Sequence, residues 1–352
     1  MGGGTDARAH HRSSGHAGSA VYPAFVAAGH DVEATDLAPR DVRGLPMRHL
    51  DVRHHREVVD AIAAHRADLV LHLAAETDLE TCETDPDGAY VTNTLGTQNV
   101  AVACQTSGST LVYISTAGVF DGEKADGPYN EFDAANPINV YGRSKYEGEL
   151  LVLRLIPRHF VVRAGWMVGG VDRDHKFVAK VIDQLRAGAT TIRAVTDKLG
   201  TPTYTEDFAA NLLELVGTQF YGRYHMACIG EGSRFDVANE IVRYFGRDDV
   251  TVEPVTSAAF VDEYFAPRPR SEMMRNYMLE LRGMNRMRPW KDALRDYLGG
   301  LSLEACWLTP GRCSPMLSLA ATHWPRSTSP TWRPFKRSSP RQRNAMLPLS
   351  SK

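Results

Sequence analysis

The sequence predicts a doubly wound α/β fold with a parallel sheet and a smaller α/β lobe toward the C-terminus. Short apolar runs, LVLHLAA at 69–75 and LVYIST at 111–116, alternate with helical patterns at 56–66 and 87–107. Strands that are apolar almost throughout are typical of a parallel sheet covered by helices on both faces. The crossovers between such strands are right-handed, which gives a Rossmann-like arrangement.

The N-terminal elements begin with a helix predicted at 18–29 and a short strand at 31–37. A doubly wound domain also needs a buried first strand of apolar β-formers before its first helix. The segment TDARAHHR at 5–12 is too polar for that position, so the first strand is degraded in this sequence. Residues 1–12 are therefore expected to be a disordered or aberrant N-terminus.

The domain organisation follows from a change of pattern along the chain. Residues 13–165 are expected to form the doubly wound domain, and residues 166–300 a lobe interleaved with it, over the carboxyl ends of the strands. Residues 301–352 contain seven prolines, nine serines and three tryptophans without periodicity, which predicts a disordered basic tail. The breaks near Ser13 and Gly300 suggest termini translated in a shifted frame or from a misplaced start. Natural flexible extensions are the alternative.

Composition and charge argue against several classes of protein. The chain has 40 Lys+Arg and 42 Asp+Glu, and since residues 301–352 hold eight basic residues and one acid, the body is acidic. An acidic body argues against a nucleic-acid partner. No apolar run approaches the roughly 18–20 residues of a membrane span, and the N-terminus lacks the apolar segment of a secretory signal. Five widely spaced cysteines form no disulfide or zinc pattern, so a reducing cytoplasm is expected.

Two other sets of residues are expected to be structural. The thirteen histidines show no HExxH or Cys/His ligand spacing, so no metal site is predicted. A cluster of methionines has partly helical spacing, which favours packing: Met273, Met274, Met278, Met284 and Met287. Trp290 is expected to anchor the last helix.

The segment NVYGRSKYEGELL carries the first chemical motif. Tyr141 and Lys145 lie one helical turn apart on one face. A tyrosine with a pKa of about 10 needs a nearby cation to stabilise its phenolate. The strand ending at Ser115 and Thr116 places a hydroxyl within reach of the same helix. Such a set can polarise a carbonyl oxygen and exchange a proton with it, which suits hydride transfer. Taken alone, a Tyr–Lys pair at this spacing is common by chance and is more often a surface pair.

A second motif precedes the first helix. Gly15 and Gly18 can let the backbone approach a pyrophosphate at a helix N-terminus, and Asp36 can accept hydrogen bonds from an adenosine ribose. A dinucleotide turn would have one more glycine, where this sequence has Arg12. That side chain would crowd the pyrophosphate.

With these motifs in place, the sequence resembles an extended short-chain dehydrogenase/reductase, and within that group the dTDP-4-dehydrorhamnose reductases. The resemblance runs from about Gly15 to Leu298. Its segments include LHLAAETDLETCETDP (71–86), VTNTLGTQNVA (91–101), YISTAGVFDG (113–122), NPINVYGRSKYEGE (136–149), GTPTYTEDFA (200–209) and RPRSEM (268–273).

The resemblance implies a role for each motif residue. Thr116 would orient the substrate carbonyl, Tyr141 would donate the proton, and Lys145 would lower the tyrosine pKa and hold the nicotinamide ribose. Asp36 would bind the adenosine ribose and favour NAD(H) over NADP(H), because its charge repels a 2′-phosphate. The other positions would contact the cofactor or the sugar: Asp51 and Val52 at the adenine, Ala74 and Ala75 along the cofactor, Asn93 in support, and Ala117 and Trp166 at the sugar.

The implied activity is NAD(P)H-dependent reduction of a keto group on a nucleotide-activated sugar. The protein is expected in the cytoplasm, without nucleic-acid or membrane partners, and a homodimer is one possible oligomeric state. The family usually has Asp-Tyr where this chain has Ala117-Gly118, so the sugar can differ from 4-keto-rhamnose. One alternative is an NAD-dependent epimerase or dehydratase. Another is a non-catalytic subunit like the beta subunit of methionine adenosyltransferase, and a third is an inactive product of a frameshifted gene.

Overall fold

Helices and strands alternate through the chain, as the apolar pattern predicts. The computed structural model describes residues 16–170 and 176–301. The predictions for residues 1–12, for Gly15 and for the tail from residue 302 lie outside the described residues. The helices predicted at 18–29 and 56–66 each have a counterpart within two residues of their predicted bounds. The mixed α/β class with parallel sheets is confirmed.

The first elements surround the place where a first strand would lie. They are α1 (His16–Ala27), β1 (Thr35–Asp36), β2 (Arg48–His49), α2 (His55–His65) and β3 (Leu69–His72). Only two residues of the predicted strand 31–37 pair, and their partner is β2, in parallel. The second strand of the sheet is therefore much shorter than its sequence suggests.

The next elements carry the catalytic motif. They are α3 (Leu79–Thr84), α4 (Pro86–Tyr90), α5 (Gly96–Ser107), β4 (Thr110–Thr116), α6 (Val140–Leu155) and β5 (His159–Ala164). A π-helical turn at Val91–Leu95 separates α4 from α5, so the single helix predicted at 87–107 is interrupted. Such turns are frequent at functional sites. A short 3₁₀ turn, Ala117–Val119, follows β4 directly.

The remaining elements include eight strands of two to five residues each. They are β6 (Trp166–Val168), α7 (Phe177–Arg186), β7 (Thr191–Val195), β8 (Leu199–Gly200), β9 (Pro202–Tyr204), α8 (Thr205–Val216), β10 (Gly222–Met226), β11 (Gly232–Ser233), α9 (Arg234–Tyr244), β12 (Thr251–Val255), β13 (Ser271–Glu272), α10 (Tyr277–Leu281) and α11 (Trp290–Gly299). The predicted division at residue 165 stays a prediction.

The central sheet is parallel, with strand order β10-β5-β4-β3. Within the described ranges, the edge of β3 that faces away from β4 pairs with no other strand, and β1 and β2 form a separate two-stranded sheet. A first strand would lie between β1 and β3 in a doubly wound fold. The sheet is thus divided where the sequence predicts a degraded strand.

Three small sheets complete the C-terminal part. β6 pairs with β9 and β7 with β12, both in parallel. β8 lies between antiparallel β11 and parallel β13, and its Gly200 is paired with Glu272. These short strands bring the ends of several loops beside the carboxyl end of β4.

Apolar side chains pack on both faces of the central sheet. One cluster includes Phe160, Leu185 and Leu212, and the other includes Val58 and Val152, all buried. Truncating a buried side chain of this size typically costs about 2–5 kcal/mol. Trp290, 4% exposed, begins α11, as predicted. Three of the clustered methionines are buried, as expected for packing: Met274, Met284 and Met287.

Candidate active site

The start of α6 is held tightly against the turn that follows β4. The Asn139 side chain caps the helix, its Oδ1 accepting a hydrogen bond from the Gly142 N–H at 2.7 Å. A Cβ at Gly142 would lie 2.1 Å from the carbonyl oxygen of Gly118, so a glycine is required there. This close approach brings Tyr141 to the end of β4, where Thr116 lies.

Thr116 and Tyr141 interact directly. The Thr116 hydroxyl accepts a hydrogen bond from the Gly118 N–H at 3.0 Å, which fixes its position. Burial raises the pKa of Tyr141 to about 12, and the hydrogen bond with Thr116 opposes part of that rise. The phenol therefore keeps its proton at neutral pH and is a proton donor there.

Lys145 lies one turn along α6 and is 1% exposed. Its Nζ is 4.1 Å from the centroid of the Tyr113 ring, a cation–π contact. Burial lowers the pKa of Lys145 to about 7, although the Glu149 carboxylate opposes the fall. The lysine therefore changes charge near neutral pH. The expected lowering of the Tyr141 pKa by Lys145 stays a prediction, since burial dominates that pKa here.

The surroundings of Lys145 are buried and polar. Glu149 is fully buried and accepts two hydrogen bonds from Arg163, at 2.9 and 2.7 Å. Burial, with the charge of Lys145, lowers the pKa of His72 to about 3, so this ring is neutral at pH 7. Arg223 Nε lies 3.7 Å from the same carboxylate, so the Glu149 charge is shared among Arg163, Arg223 and Lys145.

Asn93 connects the catalytic helix to the loop after β3. It lies in the π-helical turn and is fully buried. Its amide donates to the Glu76 carbonyl at 3.0 Å and to Ser144 Oγ at 2.9 Å. Ser144 Oγ donates in turn to the Tyr141 carbonyl at 2.9 Å. The residue predicted to support the cofactor site therefore also fixes the backbone of Tyr141.

A cavity of about 470 Å³ opens beside β3. This volume lies in the usual range of small-molecule sites. Its walls include five of the residues predicted to contact the cofactor: Gly18, Asp51, Val52, Ala74 and Ala75. Thr92 also lines it, and among the described residues Thr92 Oγ1 is buried without a hydrogen-bond partner. Buried polar groups normally have a partner, so this hydroxyl fits a polar ligand such as a dinucleotide.

Two acids predicted near the adenosine have different surroundings. Asp36 is 2% exposed, does not line the cavity, and its Oδ1 accepts from the Ala38 N–H at 2.9 Å. The Asp51 carboxylate accepts from Arg53 at 2.7–3.0 Å, and hydrogen bonding with Arg53 lowers the pKa of Asp51. The sequence analysis missed Arg53, which lines the cavity two residues after Asp51.

On the predicted sugar side, Trp166 is held from three directions. A Cβ at Gly200 would lie 2.2 Å from the indole, so the ring packs flat on the Gly200 backbone. The guanidinium of Arg234 stacks on the ring at 3.8 Å. The indole N–H donates to Glu272 Oε2 at 2.8 Å. Arg234 and Glu272 were not predicted; the segment RPRSEM contains Glu272, but nothing in its spacing indicates chemistry.

The described residues contain neither a membrane-spanning helix nor a cluster of metal ligands. No helix in residues 16–170 or 176–301 is long and apolar enough to cross a membrane. In the same ranges, no group of three or more His, Cys, Asp or Glu side chains is placed to hold a metal ion.

Comparison with known proteins gives consistent matches. A family model described as the RmlD substrate binding domain matches residues 13–302. A dTDP-4-dehydrorhamnose reductase from Mycolicibacterium smegmatis is 36% identical over 68% of this chain and 74% of its own length. A dTDP-4-dehydrorhamnose reductase structure from Clostridium acetobutylicum is 36% identical, covers 81% of this chain and 95% of its own, and has a TM-score of 0.71. The Bacillus anthracis enzyme, solved with NADP, is 35% identical over 72% and 87%, with a TM-score of 0.66.

Proposed function

Since the chain belongs to the RmlD substrate binding domain family, we propose that it is an NAD(P)H-dependent reductase of the 4-keto group of a dTDP-linked 6-deoxy sugar. The observation that carries this proposal is that Thr116 lies close enough to Tyr141 to affect the pKa of its phenol, with Lys145 one turn along the same helix. Relatives named dTDP-4-dehydrorhamnose reductase support the substrate class.

In this proposal the protein residues handle the proton. The Tyr141 phenol donates its proton to the carbonyl oxygen, and Thr116 hydrogen-bonds the same oxygen and orients it. The Lys145 ammonium stabilises the phenolate that remains until it is reprotonated from solvent. A bound nicotinamide supplies the hydride that makes the carbonyl carbon an alcohol carbon. Trp166, held between Gly200 and Arg234, forms one wall of the sugar site beside Ala117.

Four of the cofactor residues proposed from the sequence, Asp51, Val52, Ala74 and Ala75, line one cavity, and we assign the adenosine end of the dinucleotide to this part of it. The part of the cavity beside Leu69 and Leu71 is the place where a first strand would lie. We propose that NADH is preferred to NADPH, because Asp36 ends β1 and its charge repels a 2′-phosphate. The charge of Arg53, which would attract that phosphate, is offset by its ion pair with Asp51.

The alternatives have less support. Ala117 stands beside Thr116, where a dehydratase would have an acid. A non-catalytic subunit would have no need of Thr116, Tyr141 and a buried Lys145 placed together. We also propose a cytoplasmic location, in keeping with the free, buried Cys82, Cys104 and Cys228.

The proposed function is tested by titrating the purified full chain with NADH and NADPH, followed by nicotinamide fluorescence, and then by assaying reduction of dTDP-4-dehydrorhamnose. Micromolar binding with NADH preferred, together with turnover, is the expected result. Binding without turnover of any keto-sugar nucleotide would favour the non-catalytic alternative. A folded chain that binds neither cofactor would overturn the proposal.

A further inference from the structure

We infer that Glu272 is a substrate-positioning residue, whose carboxylate accepts a hydrogen bond from the hydroxyl on the sugar carbon next to the reacting carbonyl. The inference rests on the proposed function and identifies a feature that the substrate must carry. Glu272 lies in β13 and pairs with Gly200. The Glu272 side chain reaches the end of β4.

One oxygen of the carboxylate is fixed and the other is available. Oε2 accepts from the Trp166 indole N–H at 2.8 Å, while none of the described residues hydrogen-bonds Oε1. The indole is itself held between Gly200 and Arg234, so the carboxylate cannot turn without losing this bond. A partly buried carboxylate oxygen without a donor is costly, because an ionised carboxylate is an acceptor only.

The available oxygen faces the reacting groups. A Cβ at Gly118 would lie 3.6 Å from Oε1 of Glu272 and 3.4 Å from Oγ1 of Thr116, so both oxygens border the same small space. The charge of Glu272 also contributes to the raised pKa of Tyr141, which places the carboxylate near the phenol. A sugar whose carbonyl contacts Thr116 and Tyr141 therefore brings its neighbouring carbon toward Glu272.

The side chains around this space favour a ligand that carries a hydrogen-bond donor. Residues 117 and 118 are alanine and glycine and have no polar side chain, so Glu272 supplies the carboxylate that borders this space beside the Thr116 hydroxyl. Burial raises the pKa of Glu272, but the Trp166 hydrogen bond and the charges of Arg234, Arg268 and Lys198 oppose this. These cations favour the ionised form of the carboxylate, whereas burial, the stronger effect, favours the protonated form. Oε1 of Glu272 is an acceptor beside the carbonyl site, which favours a ligand hydroxyl over a bare carbon.

The experiment compares dTDP-4-dehydrorhamnose with its 3-deoxy analogue. In wild-type protein we expect kcat/KM for the hydroxyl-bearing sugar to exceed that for the analogue by about tenfold to a hundredfold, the range for a hydrogen bond to a charged group. In Glu272→Ala this preference should disappear, mainly through KM. In Glu272→Gln it should be intermediate, because the amide can still bond both the indole and a hydroxyl. Glu253→Gln, on the exposed face of β12, is the matched control and should retain the preference.

Equilibrium binding of dTDP-rhamnose and its 3-deoxy analogue gives a second readout that needs no turnover. Thermal unfolding of each variant reports whether the fold is retained. An active wild type whose preference survives in Glu272→Ala would overturn the Glu272 inference and leave the reductase intact. A wild type that neither binds nor reduces these nucleotides would overturn the proposed function and this inference with it.

Discussion

At the residue scale, the site depends on two side chains, Tyr141 and Lys145, whose protonation is set by burial. The phenol of Tyr141 holds its proton to well above neutral pH, whereas the ammonium of Lys145 loses its proton near neutrality. The high pKa of Tyr141 suits a proton donor. Because the pKa of Lys145 is about 7, the charge that stabilises the phenolate depends on pH. Both effects have the same cause, since a low-dielectric site disfavours the charged form of each group.

Removing the phenolic proton donor should abolish most of the reduction. In Tyr141→Phe we expect kcat to fall by about 10²–10⁴-fold, the usual contribution of general acid catalysis. Tyr146→Phe, in the same helix, is the matched control and should retain activity. Steady-state reduction of the keto sugar measures both. Full activity in Tyr141→Phe would contradict the assigned role.

The Lys145 pKa predicts a pH profile. As pH rises through about 7, Lys145 loses its proton and with it the charge that stabilises the phenolate. We therefore expect kcat/KM for the cofactor, which reports groups of the free enzyme, to fall above about pH 7. In Lys145→Met the rate should be low throughout and this inflection should be absent. An unchanged inflection in that variant would assign it to another group.

Cofactor choice is also decided at single residues. Asp36→Asn removes the charge that would repel a 2′-phosphate, so the ratio of NADH to NADPH affinity should shift by about tenfold toward NADPH. Asp60→Asn, on the exposed face of α2 and outside the cavity lining, serves as control. Nicotinamide fluorescence titrations measure both ratios. No shift in Asp36→Asn would show that the buried carboxylate does not face the ribose.

At the element scale, the contact between α6 and the turn after β4 decides whether the site forms. In Gly142→Ala the new methyl meets the backbone oxygen of Gly118, and backbone cannot move aside as a side chain can. We expect a loss of about 1–3 kcal/mol in the free energy of unfolding and a large loss of activity. Gly217→Ala, where a Cβ has ordinary contacts, should be neutral. Denaturant unfolding and the reduction assay measure the two effects.

At the scale of the whole molecule, the sheet is divided between β1 and β3. Leu69, Leu71 and Leu73 are only partly buried and border the cavity, although they would be central in a complete sheet. Unpaired strand edges and half-exposed apolar side chains both cost stability. The lack of strand pairing between β1 and β3 therefore affects both the cofactor cavity and the core.

Replacing the polar residues 5–12 by alternating valines and isoleucines should provide a strand between β1 and β3. Each side chain that becomes fully buried contributes about 1.5–3 kcal/mol, so we expect a higher melting temperature and tighter NADH binding. Hydrogen exchange should show slower exchange of the amides at 69–73. A serine-rich replacement of equal length is the control and should change none of these. Faster or equal exchange at 69–73 would show that a strand there does not pair with β3.

Local patterns in the sequence are enough to predict the alternation of helices and strands, a degraded first strand and the Thr116, Tyr141 and Lys145 motif. These depend on local patterns: apolar runs, polar composition and i, i+4 spacing on one helix. Only the tertiary structure brought Glu272 and Arg234 to Trp166, and Arg53 and Thr92 into the cavity, because residues from distant short strands and loops meet there without any shared period. It also decided that burial sets the pKa values of Tyr141 and Lys145, since burial depends on the packing of the whole chain around them.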